Sequence, residues 1–422
     1  MATATYDATE NSDVVNIWRT IQTSVHQGFQ FMSEEWEQLD FLKRFKVDVS
    51  LRSITVPIDI TEDFGIASIA EGAFEARPSS PNVQELSLSI ILLNGRFTVS
   101  KTAHWVEQHS AGAMIAKQMK YQAGKKIQAM GRKYADLFYG LSDGVVALVE
   151  TDPGGAATTV TAMKIDDGYG QSSYDNTDWL MAKFKVNEYI ALIRSAALVS
   201  DAIGRITAID TTNRDIDVAW GGSADPADND SIVKAESLGN TAIGDTDFNK
   251  GLVGLTEMAT ATSVHSLSGV TYPAWTAAVN NSDGGRLTTV KLMSDKQAIA
   301  NSGGGTADTL WVAQGVVRDM VALHQAGSRF GSPLSMEMDG SVKFGNLNFF
   351  SSQRVPPGTS FMADRKSIRK ISLLPSKPDA PMWDDGHKIP DKSAFIFPID
   401  FPCATVCLNR GNIAHRNGLT EQ

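Results

Sequence analysis

The longest regular pattern in the chain is a row of apolar residues at helical spacing within Thr102–Tyr139, a range that contains no proline. Steps of three and four residues place these side chains on one face of an α-helix. A helix over the whole range would be about 57 Å long, at about 1.5 Å per residue. The pattern predicts one long amphipathic helix whose apolar face is formed by Ile115, Met119, Ala123, Ile127, Met130, Tyr134, Leu137 and Phe138.

The opposite face of this predicted helix is polar and basic. It is formed by Lys117, Tyr121, Lys125, Gln128 and Arg132. Residues 101–139 hold seven Lys or Arg and two acids, a balance of +5, in a chain whose formal net charge is −10. Two interpretations stay open: a helix face that is charged only because water solvates it, or a basic strip that binds a polyanion.

The segments before the helix predict a short helix and then an extended arm. A helix is predicted to begin after Ser33 and to run to Lys46, with acids in its first turn and basic residues at its end. From Val47 the apolar period changes to two, and Val83–Val99 predicts a return strand after a loop-rich stretch. Two strands alone are marginally stable in water, so we expect this arm to lie on another surface.

The remaining two thirds of the chain predict a mixture of strands and helices. Short strands separated by turn residues predict a small β-barrel over residues 179–236. Helices are predicted at Leu287–Asn301 and Ala307–Ala326, a hairpin turn at Asp339-Gly340, and a long apolar strand from Ala394 to Asn409. Strands and helices do not alternate regularly, which favours the α+β class.

Composition sets limits on the class of protein. An apolar fraction of 42% and a charged fraction of 20% are typical of a folded protein. The sequence contains no run of about 18 apolar residues that could span a membrane, and its polar N-terminus does not resemble a signal peptide. Cys403 and Cys407 would lie about 13 Å apart on a strand, too far for a disulfide. These features predict a cytosolic chain with two buried thiols.

A search for catalytic motifs gives no convincing site. Gly140–Gly144 matches G-x-S-x-G around Ser142, but the predicted helix precedes the serine and a strand follows it, the reverse of a nucleophile elbow. His104 and His109 are badly spaced for a zinc pair on a helix. The acidic loop at Asp225–Asp230 lacks the glycine and glutamate of a calcium loop and is interpreted as solvated. We therefore expect no enzyme activity, no metal and no cofactor.

The order of these elements resembles that of the major capsid proteins of tailed bacteriophages, which have the Hong Kong 97-type fold. The most specific local similarity is a "GL … YP-x-W" stretch formed by Gly251, Leu252, Tyr272, Pro273 and Trp275. The ending LNRGNIAHRNGL is also similar. The resemblance covers most of the chain and excepts the predicted barrel, which looks like the insertion that some members carry.

The resemblance implies a division of the chain into the domains of that fold. The expected domains are an N-terminal arm (1–46), an E-loop β-hairpin (47–100), a peripheral domain (101–178) with the spine helix (102–139), the inserted barrel (179–236), the continued peripheral domain (237–284), an axial domain (285–389) and a C-terminal peripheral strand (390–422).

The resemblance also implies a function and its partners. The chain would assemble into pentamers and hexamers of an icosahedral shell around phage double-stranded DNA, in the bacterial cytoplasm and finally in the virion. Lys117, Lys125 and Arg132 are then the candidate DNA-facing residues, making contacts that do not depend on base sequence. Portal and scaffolding proteins, and a decoration protein, are implied partners. The alternatives are an encapsulin-type compartment shell and a soluble enzyme or carbohydrate-binding protein.

One departure from some family members concerns covalent cross-linking. Those members join an E-loop lysine to an asparagine of a neighbouring subunit through an isopeptide bond. Residues 47–100 contain no lysine. We therefore expect shells of this chain to be held together without that bond.

Overall fold

The structure of the protein is a computed structural model. It describes residues 34–43, 45–48, 53–61, 82–100, 113–151, 154, 156–166, 177–236, 242–282, 284–327, 334–336, 342–372, 382–383, 387–388 and 394–421. The helices are α1 (Glu34–Gln38), α2 (Ala113–Tyr139), α3 (Thr177–Met181), α4 (Leu255–Thr260), α5 (Thr289–Gly303) and α6 (Gln314–Gly327).

The strands are numbered along the chain. The first eleven are β1 (Asp40–Phe41), β2 (Lys46–Asp48), β3 (Ser53–Thr61), β4 (Asn82–Ser89), β5 (Ile91–Ser100), β6 (Val145–Val149), β7 (Ala157–Asp166), β8 (Tyr189–Arg194), β9 (Ala197–Asp210), β10 (Asp215–Ala224) and β11 (Ser231–Lys234). The others are β12 (Ser263–Val264), β13 (Leu267–Ser268), β14 (Val279–Asn281), β15 (Thr309–Ala313), β16 (Leu334–Met336), β17 (Val342–Phe344), β18 (Leu347–Ser352), β19 (Ser360–Ala363), β20 (Ile368–Ser372), β21 (Met382–Trp383), β22 (His387–Lys388), β23 (Ala394–Cys407) and β24 (Ile413–Arg416). This mixture confirms the predicted α+β class.

The chain forms two compact units, each built from separate stretches of sequence. The first unit contains Met1–Pro57, Glu85–Phe138 and Ile368–Val406. Its largest sheet has six strands, and the long strand β23 pairs with four of them, β5, β20, β21 and β22. The predicted C-terminal strand is therefore confirmed, and it organises this unit.

The arm predicted as two paired strands is confirmed where β3 pairs with β4, but the second half of the predicted return strand, β5, belongs to another sheet, and there the prediction was wrong. β2, β3 and β4 form a three-stranded sheet, and in β3 the buried side chains of Ile54 and Val56 alternate with more exposed ones. After β4 the strand is interrupted at Ile90, and β5 pairs with β23 over ten residues. Phe97 of β5 stacks on Phe397 of β23 at a centroid distance of 5.3 Å. The local sequence pattern predicts the strand β5, but it does not indicate that its partner is β23, which lies far along the chain.

The helix predicted to run from Ser33 to Lys46 is also shorter than expected. Ser33 lies outside the described residues, α1 ends at Gln38, and β1 begins at Asp40. β1 pairs in parallel with β20, and this pairing extends the central sheet. Asp40 and Phe41 are therefore part of the sheet, although local helix-forming features predicted that they belong to the helix.

The second unit contains a closed barrel with the strand order β10-β7-β6-β11-β8-β9. Its interior is filled by apolar side chains, among them Met163, Leu192, Ile216 and Ile232. The barrel begins at β6, whereas the sequence pattern had placed its start at Trp179. The segment at Trp179 itself is the short helix α3. The first two strands, β6 and β7, were not assigned to the barrel, because most of their partners in it come later in the chain.

The sequence predicts that the acidic loop Asp225–Asp230 is only solvated, and for Asp230 this prediction was wrong. The Asp230 side chain is 1% exposed, and its two carboxylate oxygens accept hydrogen bonds of 2.7 and 2.8 Å from the Arg194 guanidinium. Asp230 also accepts a hydrogen bond from the backbone N–H of Ala227. This ion pair, in which Asp230 is buried and Arg194 is exposed, fixes the loop against β8. A groove of about 540 Å³ lies beside it.

The second unit also contains a seven-stranded sheet with the order β14-β24-β19-β15-β18-β17-β16. The predicted helix at Ala307–Ala326 is wrong in its first part, because Thr309–Ala313 is the central strand β15. All five of its residues are buried, and such an apolar run does not distinguish a buried strand from a helix. The hairpin predicted around Asp339-Gly340 is confirmed by the antiparallel pairing of β16 with β17, although the turn itself lies outside the described residues.

Two local features constrain the structure of the second unit. Arg416 of β24 forms two hydrogen bonds of 2.7 and 2.6 Å with the carboxylate of Asp295 of α5, and both side chains are under 10% exposed. Gly144, just before β6, has a φ of +72°, and an added Cβ would collide with the backbone carbonyl of Asp247. A glycine is therefore required at this turn both for its backbone angle and for its lack of a side chain.

Candidate polyanion-binding helix face

The long helix α2 has the division into two faces that the sequence pattern predicts. It has 27 residues, about 40 Å of length at 1.5 Å per residue, and Thr102–Gly112 lie outside the described residues. The predicted apolar face is buried at Met119, Ala123, Ile127, Met130, Tyr134, Leu137 and Phe138. The side chain of Ile115 is not described. The burial of this face fixes which side of the helix remains available for other contacts.

The opposite face presents basic side chains to solvent within this unit. Lys125, Lys126 and Arg132 are exposed, and Tyr121 is 66% exposed. Lys117 belongs to the same helix, but its side chain is not described. In the described part of the unit, no carboxylate forms an ion pair with Lys125, Lys126 or Arg132.

The spacing of the predicted site residues follows from the helix geometry. At about 1.5 Å per residue, Lys117 and Arg132 are about 22 Å apart along the axis, with Lys125 between them. Duplex DNA carries about one negative charge per 1.7 Å of its axis. Basic residues spread over this length would face many phosphates of a duplex and define the position of none of them. The spacing therefore gives no means of reading a base sequence.

The helix is held rigidly by the sheet beneath it. An added Cβ at Gly95 of β5 would lie 3.3 Å from Sδ of Met130 and 3.8 Å from Cβ of Lys126, so the helix crosses β5 closely at this glycine. Trp36 packs edge-on against Tyr134 and against Phe401, each with a centroid distance of 5.1 Å. Burial raises the pKa of the Tyr134 hydroxyl well above its usual value. The basic face is therefore displayed on a fixed helix.

The residues of the "GL … YP-x-W" similarity belong to the second unit and have structural contacts. The backbone N–H of Gly251 donates to the carbonyl of Ser142, and a Cβ at Gly251 would lie 2.7 Å from the carbonyl oxygen of Leu141. Leu252 is buried. Gly251 is therefore a point where two backbone segments approach closely.

The second half of the similarity is a turn. The Tyr272 carbonyl accepts from the N–H of Trp275 at 2.8 Å, Pro273 between them is exposed, and the Trp275 ring is buried with its Nε1 donating to the carbonyl of Val264. These contacts give Tyr272, Pro273 and Trp275 a role in forming and packing the turn.

Sequence reasoning missed the residue that joins these segments. Arg410 is 2% exposed, and its guanidinium donates to the carbonyl oxygens of Met258, Ala261 and Trp275 at 2.7, 2.7 and 3.1 Å. Burial lowers the pKa of Arg410. Its only sequence signal is an arginine directly after a long apolar strand, inside the ending that resembles the capsid family.

Ser142 of the G-x-S-x-G match and the buried histidine His265 are held in structural contacts. The backbone N–H of Ser142 donates to Oε2 of Glu257 at 2.7 Å, and Ser142 follows α2 and precedes β6, which confirms the reversed order predicted for this motif. The ring of His265 accepts from the backbone N–H of Cys407 at 3.2 Å, and burial lowers the pKa of His265 to about 3.

The cysteines, histidines and acids of the described ranges give no further candidate site. Cys403 and Cys407 are buried and free, as predicted, and burial raises the pKa of both thiols to about 12. His104 and His109 lie outside the described residues. Among the residues that are described, no three metal-ligating side chains cluster, and no helix has the length and hydropathy of a bilayer span.

Comparisons with known proteins give a likeness of structure only. No protein-family model matches the sequence, and no curated protein matches it. The capsid asymmetric unit of cyanophage A-1(L) matches with a TM-score of 0.52 and 11% identity, over 94% of this chain and 92% of that chain. A chain of Gordonia phage Cozz matches with a TM-score of 0.44 and 9% identity, over 92% and 86%. The SrpI encapsulin of Synechococcus elongatus matches with a TM-score of 0.29 and 10% identity, over 40% and 56%. The predicted resemblance is thus confirmed at the level of structure: this chain has the fold of a phage capsid protein.

Proposed function

We propose that this chain is a major capsid protein that assembles into pentamers and hexamers of an icosahedral shell around phage double-stranded DNA. The observation that carries the proposal is the likeness to the cyanophage A-1(L) capsid chain, which extends over nearly the whole of both chains. Such a protein acts through contacts with copies of itself and needs no catalytic site. Its location would be the virion, after assembly in the bacterial cytoplasm.

The proposed architecture is the Hong Kong 97-type fold. Residues 1–46 form the N-terminal arm, 47–100 the E-loop, 102–139 the spine helix and 285–389 the axial domain, and the peripheral domain is built from the stretches between them and from 390–422. The position of β5 beside β23 supports the inclusion of the second half of the E-loop range in the sheet of the first unit. We place the inserted barrel at 145–234, because β6 and β11 pair within one closed barrel.

The proposed site is the basic face of α2, with Lys117, Lys125 and Arg132 directed at packaged DNA. Each cation that neutralises a phosphate contributes about −0.9 to the slope of log affinity against log salt. Three such contacts are weak alone, but a shell presents many copies of the face to one genome, and multivalency makes their sum large. The contacts involve the backbone of the duplex only, so any sequence can be packaged.

The rest of the chain supports this orientation through its charge. Residues 145–236 hold 15 acids and seven Lys or Arg, a balance of −8. An acidic barrel repels DNA, and we therefore place it on the outer side of the shell. The partners of the proposed shell are a portal, a scaffolding protein and a decoration protein.

The first experiment tests the shell itself. The full-length chain is expressed and examined by size-exclusion chromatography and electron microscopy, and we expect rings or closed particles. A small soluble oligomer at high concentration would contradict the proposal. Particles that enclose protein cargo and exclude DNA during phage production would support the encapsulin-type alternative.

The second experiment tests the DNA-facing residues by charge reversal. The triple variant K117E/K125E/R132E is compared with K164E/K185E/R205E, in which three exposed basic residues of the barrel region are reversed with the same change in net charge. Particle yield and the fraction of particles with nuclease-resistant DNA are measured for both. We expect normal assembly of both variants and a several-fold loss of DNA retention only in the first.

The controls separate the two parts of the proposal. Equal DNA retention in the helix variant and the barrel variant would remove the assignment of the helix face and leave the shell function standing. A loss of particles in the helix variant alone would indicate that the face contacts another subunit.

A further inference from the structure

Among the described residues of α2, Tyr121 is the one large aromatic side chain on the basic face. The charge of this face does not account for an exposed ring there. Its side chain is 66% exposed, and Lys125, one turn further along the helix, has its Nζ 5.7 Å from the centre of the tyrosine ring. Side chains separated by four residues are neighbours on a helix surface. The ring therefore stands between the cations that the proposed function directs at a nucleic-acid backbone.

Gly124 lies beside this ring and leaves open space. Apart from its chain neighbours and the backbone of its own helix, no atom of the described residues lies within 4 Å of the position that a Cβ of Gly124 would occupy. Glycine is among the weakest helix formers, so a glycine inside a helix usually has a packing reason, such as a close neighbour. Gly95 of strand β5 shows what such a close neighbour looks like, in its contact with Met130, whereas Gly124 of α2 has none among the described residues. The result is an open notch on the helix surface next to an exposed aromatic ring.

A ring beside a notch, flanked by cations, is chemically suited to a nucleobase. Bases stack on tyrosine whatever their identity, because every base has a π-face, while Lys and Arg bind the phosphates on either side. Bases of a duplex are stacked on each other and show only their edges in the grooves. A duplex can therefore use the cations of this face but not its ring.

We propose that Tyr121 and Gly124 form a stacking platform for the bases of single-stranded nucleic acid, so that this face binds single strands more tightly than duplex. The inference rests on the proposed function, since it uses the same basic helix face, and it adds a preference that the cations alone do not give. Lys125 and Arg132 supply the phosphate contacts common to both forms of nucleic acid. In a shell, such a face would hold single strands wherever duplex is absent.

The experiment measures both ligands on the full-length chain, kept below the concentration at which it assembles. Fluorescence anisotropy is recorded with an oligo(dT) strand of about 20 nucleotides and with a duplex of about 20 base pairs, at one fixed salt concentration. Y121A is expected to weaken single-strand binding by about 5- to 150-fold, the range found for loss of one aromatic stacking partner. Duplex binding is expected to change by less than about twofold.

Three further variants make each part separable. Y121F keeps the ring and is expected to bind both ligands like the unchanged chain, whereas G124L fills the notch and is expected to weaken only the single strand. K125E/R132E is expected to weaken both ligands. If K125E/R132E leaves both affinities unchanged, the proposed DNA-facing role fails. If it weakens both but Y121A weakens neither, or weakens both equally, the stacking platform fails and the DNA-facing role stands.

A contact with a second copy of this chain is the remaining explanation of the exposed ring. In that case Y121A would change the yield of particles in electron micrographs and leave both affinities unchanged. That result would overturn the stacking proposal. Ultraviolet cross-linking of particles formed with the single strand, followed by mass spectrometry of the peptide that contains Tyr121, gives an independent measurement.

Discussion

The buried ion pair between Arg416 and Asp295 allows a quantitative test of what holds the second unit together. The two side chains are 7% and 3% exposed and share two hydrogen bonds of 2.7 and 2.6 Å. Removing one partner leaves the other charge buried without compensation, which costs about 3–5 kcal/mol. Removing both partners leaves no buried charge, so the free energy of unfolding should recover. We therefore expect D295L and R416M each to destabilise the chain strongly, and D295L/R416M to destabilise it less than either.

The measurement is urea unfolding of the full-length unassembled chain, followed by tryptophan fluorescence and analysed as a double-mutant cycle. The exposed pair between Arg369 and Asp40, whose side chains are 22% and 50% exposed, gives the control. D40N should cost less than about 1 kcal/mol, because water screens such a pair. If the cost of the double variant equals the sum of the two single costs, the pair is not coupled and the reasoning is refuted.

The remaining predictions concern pH, backbone geometry and covalent bonds. Burial lowers the folded-state pKa of His265 to about 3 and of His415 to about 4, below the usual 6.5. Their contribution to stability is therefore complete above pH 6.5 and is lost as pH falls, by about 1.4 kcal/mol per pH unit for each histidine. Comparison with H415Q in unfolding experiments between pH 7 and 5 should show a shallower loss in the variant; parallel curves would contradict this. G144A and G304A place the same methyl group at φ values of +72° and +66°, but only the first meets backbone atoms. We expect G304A to cost about 1 kcal/mol and G144A several times more in thermal unfolding, and equal costs would refute the steric argument. Finally, because residues 47–100 contain no lysine, boiled particles should migrate as monomers on a denaturing gel, and a ladder of covalent multimers would disprove the absence of cross-links.

The sequence predicts best those features that depend on local periodicity. The two faces of α2 follow from its apolar spacing, and the structure buries every described residue that this spacing selects. The candidate basic face was found in the same way, since charges opposite an apolar row face outward. Tyr121 and Gly124 were not distinguished from their neighbours, because only the structure shows which positions are open.

Features that depend on distant partners were missed. Thr309–Ala313 has an apolar run that suits a helix as well as a strand, and its burial between β18 and β19 decides the outcome. The barrel was predicted too short because β6 pairs with β11, which lies beyond the next four strands of the chain. The role of Arg410 was not predicted, because its three carbonyl acceptors lie at separate positions of the chain and no spacing in the sequence indicates that they meet.

The pairing of β5 with β23 has a consequence for how the chain is made. The side-chain hydrogen bond between Asn94 and Asp400 joins residues 306 positions apart, and the whole ten-residue ladder has a similar separation. At about 5–20 residues per second, a ribosome needs roughly 15–60 s to synthesise the intervening chain. During that time β5 has no partner, and loop closure over this distance makes its later pairing slow. The first unit is therefore completed only after β23 has been made, and nascent copies that still lack β23 have an open sheet edge that exposes them to premature association with one another.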